Sequence, residues 1–294
     1  MNLITIALLV LGITGLLSAV LLYLVAQKFK VEEDPRIDEV QAVLPGANCG
    51  GCGFAGCRAL AEACTKAENL ESLNCPVGGA PVMSQVAAIL GMTAVASTPK
   101  VAVVRCNGTC EARPKHNDYD GAKSCRIVHQ IYAGESDCPF GCLGCGDCVA
   151  ACAFDAIHMN TETGLPQVDD EKCTSCGKCV AACPRHIIEL RNKGPKNRRV
   201  LVQCVNKDKG AIARKACLNA CIGCGKCQKV CEFEAITVEN NVAYIDYNKC
   251  RLCRKCETEC PTGAIHAVNF PARKPKVEEP AQPKVEEQPK QKEA

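Results

Sequence analysis

Four segments of this chain repeat one spacing, Cys-x2-Cys-x2-Cys-x3-Cys: CLGCGDCVAAC from Cys142, CTSCGKCVAAC from Cys173, CIGCGKCQKVC from Cys221 and CRLCRKCETEC from Cys250. Three thiols in one tight loop reach three corners of a [4Fe–4S] cube, and the fourth reaches a neighbouring cube. Modules built on such loops are too small to rely on an apolar core alone, and small domains often need a metal to fold. The motifs therefore predict clusters that are structural as well as functional.

The 27 cysteines among 294 residues admit two plainer explanations. A disulfide scaffold belongs to short secreted chains with even cysteine counts, whereas this chain is long and its count is odd. Zinc sites pair one Cys-x2-Cys knuckle with a second, which leaves the third cysteine of each loop without a purpose. The net charge of +3 gives no reason to expect a nucleic-acid partner.

Residues 3–26 are an apolar run without a charge, long enough to span a bilayer as a helix. A cleaved signal peptide fits less well, because the run is too long and no basic segment precedes it. Lys28 and Lys30 follow the run and no Lys or Arg precedes it. The positive-inside rule thus predicts a single-pass anchor in the inner (cytoplasmic) membrane, with the soluble part in the cytoplasm.

The order of segments predicts an α+β multidomain chain: one N-terminal transmembrane helix, a small helical [4Fe–4S] module, then two tandem bacterial-ferredoxin-like units of two clusters each. The expected boundaries are a membrane helix at 1–26, a linker at 27–36, the N-terminal module at 37–96 and an irregular connector at 97–137. Beyond these come a first ferredoxin-like unit at 138–193, a basic linker at 194–216, a second unit at 217–270 and a disordered tail at 271–294. In the N-terminal module, Ile37–Leu44 and Phe54–Lys66 have helical apolar spacing, and Pro81 suits the start of a third helix ending near Leu90. Val101–Val104 reads as a strand. The two units are copies: Cys142 to Cys221 is an offset of 79 and Cys173 to Cys250 an offset of 77. Each carries an expected hairpin, Ala156–Met159 with Pro166–Val168 and Ala235–Glu239 with Val242–Asp246. The tail is Pro, Lys, Glu and Gln, without the apolar residues that would order it.

In two-cluster ferredoxins the fourth cysteine of each motif serves the other cluster. Carried over to this chain, that crossing groups Cys142, Cys145, Cys148 and Cys183 at one cube and Cys173, Cys176, Cys179 and Cys152 at the next. In the second unit it groups Cys221, Cys224, Cys227 and Cys260, then Cys250, Cys253, Cys256 and Cys231. Cys138 lies four residues before Cys142, and Cys217 four before Cys221, so each first motif offers an alternative to Cys145 or Cys224. Upstream, Cys49, Cys52, Cys57 and Cys75 make a fifth candidate site. Cys64, on the same helical face as Cys57, suits apolar filling better than ligation. Cys106, Cys110, Cys125 and Cys138 are candidates for a sixth cluster. Cys204 recurs in the place of Cys106, which suggests a repeated structural role. Five [4Fe–4S] clusters are expected, with room for a sixth.

With these residues in view, the chain resembles the B subunits of the Rnf electron-transport complex. The match rests on one N-terminal membrane helix, the Cys49/Cys52/Cys57/Cys75 module and ferredoxin motifs behind it, in that order. It departs from the short form of the family by carrying two ferredoxin units. The resemblance implies an electron-relay subunit of a translocase that couples electron transfer between reduced ferredoxin and NAD⁺ to Na⁺ or H⁺ movement. It implies partners among the other subunits, soluble ferredoxin as donor, and no self-contained catalytic residue. A competing reading is a membrane-tethered relay of another oxidoreductase, such as a hydrogenase, or a redox sensor.

Between Arg185 and Lys215 ten Lys or Arg face two acids. Arg191, Lys193, Lys196, Arg198 and Arg199 predict a basic face that would steer an acidic ferredoxin; a solvated linker, or one drawn to anionic lipid, explains them as well.

Overall fold

The computed structural model describes residues 2–28, 34–93, 98–131 and 134–271. The expected disordered tail beyond Pro271, part of the 27–36 linker and the joint at residues 94–97 lie outside the described residues.

Helix α1 (Leu3–Lys28) carries the apolar run. At about 1.5 Å per residue its 26 residues extend about 39 Å, enough to cross a bilayer. Three helices then build the N-terminal module: α2 (Arg36–Val43), α3 (Cys57–Lys66) and α4 (Gly79–Leu90). They bury Ile37, Val40, Leu60, Met83 and Val86 in a core of their own. Helix α3 begins at Cys57 rather than at Phe54, because Asn48 Oδ1 accepts the Cys57 N–H at 2.8 Å and fixes the helix start there.

The remaining elements are β1 (Lys100–Val104), α5 (Cys125–Ile131), α6 (Asp147–Ala150), β2 (Ile157–Met159), β3 (Pro166–Val168), α7 (Lys178–Ala182) and β4 (Ile188–Asn192). They continue with β5 (Arg199–Val202), α8 (Gly210–Ala216), α9 (Lys226–Lys229), β6 (Ile236–Glu239), β7 (Val242–Ile245), α10 (Lys255–Thr258) and β8 (Ile265–Val268). Among the described residues the sheets are four antiparallel pairs: β1 with β4, β2 with β3, β5 with β8 and β6 with β7. Both expected hairpins are present as β2–β3 and β6–β7.

Three sequence expectations need correction. The connector is not wholly irregular, since Cys125–Ile131 is helical. Strand β1 pairs with β4, with Ala102 opposite Leu190, so the first unit's sheet begins inside the connector. The segment 194–216 is not a free linker: β5 pairs with β8, Val202 opposite Ile265, and α8 follows it. The physical reason is apolar. Val200, Leu201 and Val202 are all buried, and this short run decides the fold of the segment although basic residues surround it.

Candidate metal centres

The four motif loops follow one backbone path. A left-handed residue stands immediately before and after the second cysteine of each: Gly144 and Gly146, Ser175 and Gly177, Gly223 and Gly225, Leu252 and Arg254. Three residues past each fourth cysteine comes another: Asp155, His186, Glu234 and Gly263. Glycine accepts such angles freely, while Leu252 and Arg254 do not. The fourth loop keeps the same path at that cost, which points to the wrap itself as the constrained feature.

The wrap gathers the thiols. Cys152, Cys173, Cys176 and Cys179 line a single cavity. Burial, and then the neighbouring Cys173 and Cys176, pushes the Cys179 thiol up to about 12. In the second unit, burial followed by Cys221, Cys260 and Cys224 raises Cys227 to about 11. Burial and then Cys250, with Cys227, Cys253 and Cys231 also near, raises Cys256 to about 12. Such thiols are neutral when bare, so metal loading must displace protons. Backbone N–H groups aim at the sulfurs: Ala102 at Cys173 (3.5 Å), Ala156 at Cys152 (3.4 Å) and Ala243 at Cys221 (3.4 Å). These donors suit thiolates that carry a cluster's charge. The donor sets, their enclosure and their N–H partners fit [4Fe–4S] clusters.

The first site of the first unit holds five thiols. Cys125, Cys142, Cys148 and Cys183 line its cavity. Cys145 sits beside them, with its thiol hydrogen-bonded to Cys125. Helix α5 delivers Cys125, and Asp147 secures that helix by accepting from the Arg126 N–H at 3.1 Å and from Ser124 Oγ at 2.9 Å.

In the N-terminal module Cys75 lies close to Cys57 and Cys52, and its sulfur accepts from the Gly78 N–H at 3.4 Å. Cys49 opens the same loop. Cys64 is buried in the apolar core near Cys52 and Cys75. Gly51 touches the first unit: a Cβ there would meet Cys176 Cβ at 2.8 Å and its Cα at 2.9 Å. Only glycine allows this approach.

The structure does not bring Cys106, Cys110, Cys125 and Cys138 together as one site. Cys110 is exposed, Cys125 belongs to the five-thiol site, and Cys106 and Cys138 line a different cavity with Cys204 and Cys217. The expected basic face is also corrected. Arg191 and Arg199 are buried, Arg199 on Asp170 at 2.7 Å and Arg191 on Glu189. Lys193 is tied to the Asp170 carbonyl at 2.6 Å, and Arg198 stacks on Phe270. Both buried arginines sit in strands: β5 is buried along its whole length, and β4 buries Arg191 together with Ile188.

Fold and site together define a multi-cluster iron–sulfur electron carrier. The 4Fe-4S dicluster domain family matches residues 141–187 and 220–264, a 4Fe-4S double cluster binding domain matches 172–234, and a putative Fe-S cluster family matches 44–77. The B subunit of a Na⁺-translocating ferredoxin:NAD⁺ oxidoreductase complex of Acetobacterium woodii is 50% identical over 87% of this chain and 75% of its own length. The B subunit of a proton-translocating ferredoxin:NAD⁺ oxidoreductase complex of Clostridium ljungdahlii is 43% identical over 91% of this chain and 94% of its own. The B subunit of an ion-translocating oxidoreductase complex of Methanosarcina acetivorans is 40% identical over 85% and 93%. The chain belongs to the family of B subunits of ion-translocating ferredoxin:NAD⁺ oxidoreductase complexes.

Proposed function

We propose that this chain is the electron-relay subunit of a membrane-bound complex that couples electron transfer between ferredoxin and NAD⁺ to Na⁺ or H⁺ translocation. Five [4Fe–4S] clusters would be held by Cys49, Cys52, Cys57 and Cys75; by Cys142, Cys145, Cys148 and Cys183; by Cys173, Cys176, Cys179 and Cys152; by Cys221, Cys224, Cys227 and Cys260; and by Cys250, Cys253, Cys256 and Cys231. When bound, such clusters supply one-electron carriers. The chain's own residues fix the thiols, shield most of them from water and donate N–H groups to several of them.

The contact of Gly51 with Cys176 carries this reading, because it sets the module nearest α1 directly against the first ferredoxin unit. Cys148 lies near Cys179, and Cys227 near Cys256, so successive sites adjoin within each unit. Electrons would enter at the second unit, whose Cys224 and Cys253 are exposed. Exposed Lys226, Lys229, Lys249 and Arg251 flank those cysteines in sequence. They suit an acidic ferredoxin better than the 191–199 segment does, where Arg191 and Arg199 are buried. The anchor α1 would keep the soluble part on the cytoplasmic side.

Anaerobically purified full-length chain is expected to lose about four irons for each of Cys52→Ser, Cys179→Ser and Cys256→Ser, one cube per variant. Near-zero iron with bound zinc in the parent chain would overturn the reading. The double reversal Lys249→Glu, Arg251→Glu should slow reduction by ferredoxin at low salt, and unchanged kinetics would remove the docking assignment.

A further inference from the structure

Four cysteines outside the five sites, Cys106, Cys138, Cys204 and Cys217, line one cavity where the two ferredoxin units meet. All four are buried, and all four are free thiols. They form two equivalent pairs. Cys106 follows β1 as Cys204 follows β5, and Cys138 precedes Cys142 by the same four residues that separate Cys217 from Cys221. Each unit therefore contributes the same two thiols to a shared space.

That space matches the motif sites in size. Its cavity volume is about 20 Å³, the same as that of the cavity at Cys142, Cys148 and Cys183 and of the one at Cys152, Cys173, Cys176 and Cys179. Its sulfurs are also supplied with donors. The Cys142 N–H points at Cys106 Sγ (3.5 Å), and the equivalent Cys221 N–H donates to Cys204, as does the Asn206 N–H. Asn206 Nδ2, fully buried, donates to Cys138 Sγ at 3.6 Å, and the Asn219 N–H donates to Cys217. Arg105 and Arg113 line the cavity as well, and their charges oppose those of four thiolates. A single zinc ion would draw the thiolates to about 2.3 Å from one point. Among the described residues no three such side chains converge in that way, here or at the motif sites.

We propose that Cys106, Cys138, Cys204 and Cys217 hold a sixth [4Fe–4S] cluster shared by the two units. The assignment rests on the five-cluster reading and completes it. Cys142 and Cys221, which belong to the facing sites of the two units, each donate a backbone N–H to a sulfur of this set. The sixth site thus lies between them and joins two otherwise separate pairs into one series. Each electron received from one flanking site leaves to the other, with no net chemistry.

Iron and acid-labile sulfide on the anaerobically purified full-length chain, with EPR of the reduced state, test this. The parent chain should hold about twenty-four irons, four per cube. Cys204→Ser with Cys217→Ser, and separately Cys106→Ser with Cys138→Ser, should each hold about twenty and lose one reduced-cluster signal. A parent chain with about twenty irons, unchanged in both double variants, overturns the sixth site and leaves the five. One zinc per chain that disappears in the double variants overturns the cluster in favour of a zinc site. Near-zero iron overturns both readings. If the double variants fail to fold, the parent count alone still separates five clusters from six.

Discussion

The two ferredoxin units share a scaffold, loop path and strand register, yet differ where they touch. Structural equivalence puts Arg105 and Arg191 of the first unit where the second has Gln203 and Val268. It puts Tyr244 and Tyr247 of the second where the first has Gln167 and Asp170. These changes are complementary. Arg105 and Arg191 stack on Tyr244 at 4.8 and 5.0 Å, Arg191 also faces Tyr247 at 5.8 Å, and Arg199 of the second unit grips Asp170 of the first. The copies have diverged in the side chains that orient one against the other, while both keep the paired cysteines at their junction. Duplicated units that only needed to be tethered would have no reason for a buried, heterologous interface.

A second difference is the fifth thiol. The segment between Cys106 and Cys138 carries Cys110 and Cys125, whereas the segment between Cys204 and Cys217 contains no cysteine. The largest expected effect follows from this. Cys224→Ser should remove about four irons, because the neighbouring Cys204 and Cys217 serve the junction site and the second unit has no counterpart of Cys125. Cys145→Ser should retain them through Cys125, and only the Cys125→Ser, Cys145→Ser double variant should lose them. Iron counts on the three proteins check this, and loss of iron in Cys145→Ser alone would show that Cys125 does not substitute.

The interface gives the next effect. Arg191 is buried and its loss leaves Glu189 short of one partner, while Arg105 still reaches that carboxylate at 3.4 Å. Breaking a fully buried pair costs about 3–5 kcal/mol. With Glu189 partly exposed and still paired, Arg191→Ala should cost about 2–3 kcal/mol, including the lost stacking on two tyrosines. Denaturant unfolding of the loaded protein measures it. A cost below about 0.5 kcal/mol, typical of surface positions, would show that the units are held together by other means.

The cysteine spacing made the metal centres and the duplication legible, since a ligand set is a local pattern. What the sequence hid is non-local. Strand β1 finds β4 across almost a whole unit, and Cys106 finds Cys204 and Cys217 only when the two copies fold against each other. Charge is a misleading guide here: Arg191 and Arg199 look like surface residues in a basic run, but their neighbours Leu190, Val200 and Leu201 mark them as strand positions. The left-handed residues at Leu252 and Arg254 carry no glycine signal, and only alignment with the other three loops would have found them.

The smallest effect separates the units by acid. His266 on β8 stands where the first unit has Glu189. Burial lowers its pKa below the ordinary 6.5, outweighing the Gly263 backbone and Glu257, which favour the charged ring. Asn107 Nδ2 lies 2.8 Å from Nε2, so the neutral ring accepts there. A histidine whose folded pKa is lowered binds fewer protons folded than unfolded. Its contribution is therefore complete above about pH 6.5 and is lost as pH falls below that value. Thermal unfolding of the loaded protein should show a steeper loss from pH 7.5 to 5.5 in the parent than in His266→Gln, which keeps a partner for Asn107 but cannot titrate. Equal slopes would mean that the ring binds as many protons folded as unfolded, so that burial does not depress its pKa; a parent that gains stability on acidification relative to His266→Gln would mean that the contact between Asn107 of the first unit's connector and β8 of the second is made by a charged histidine.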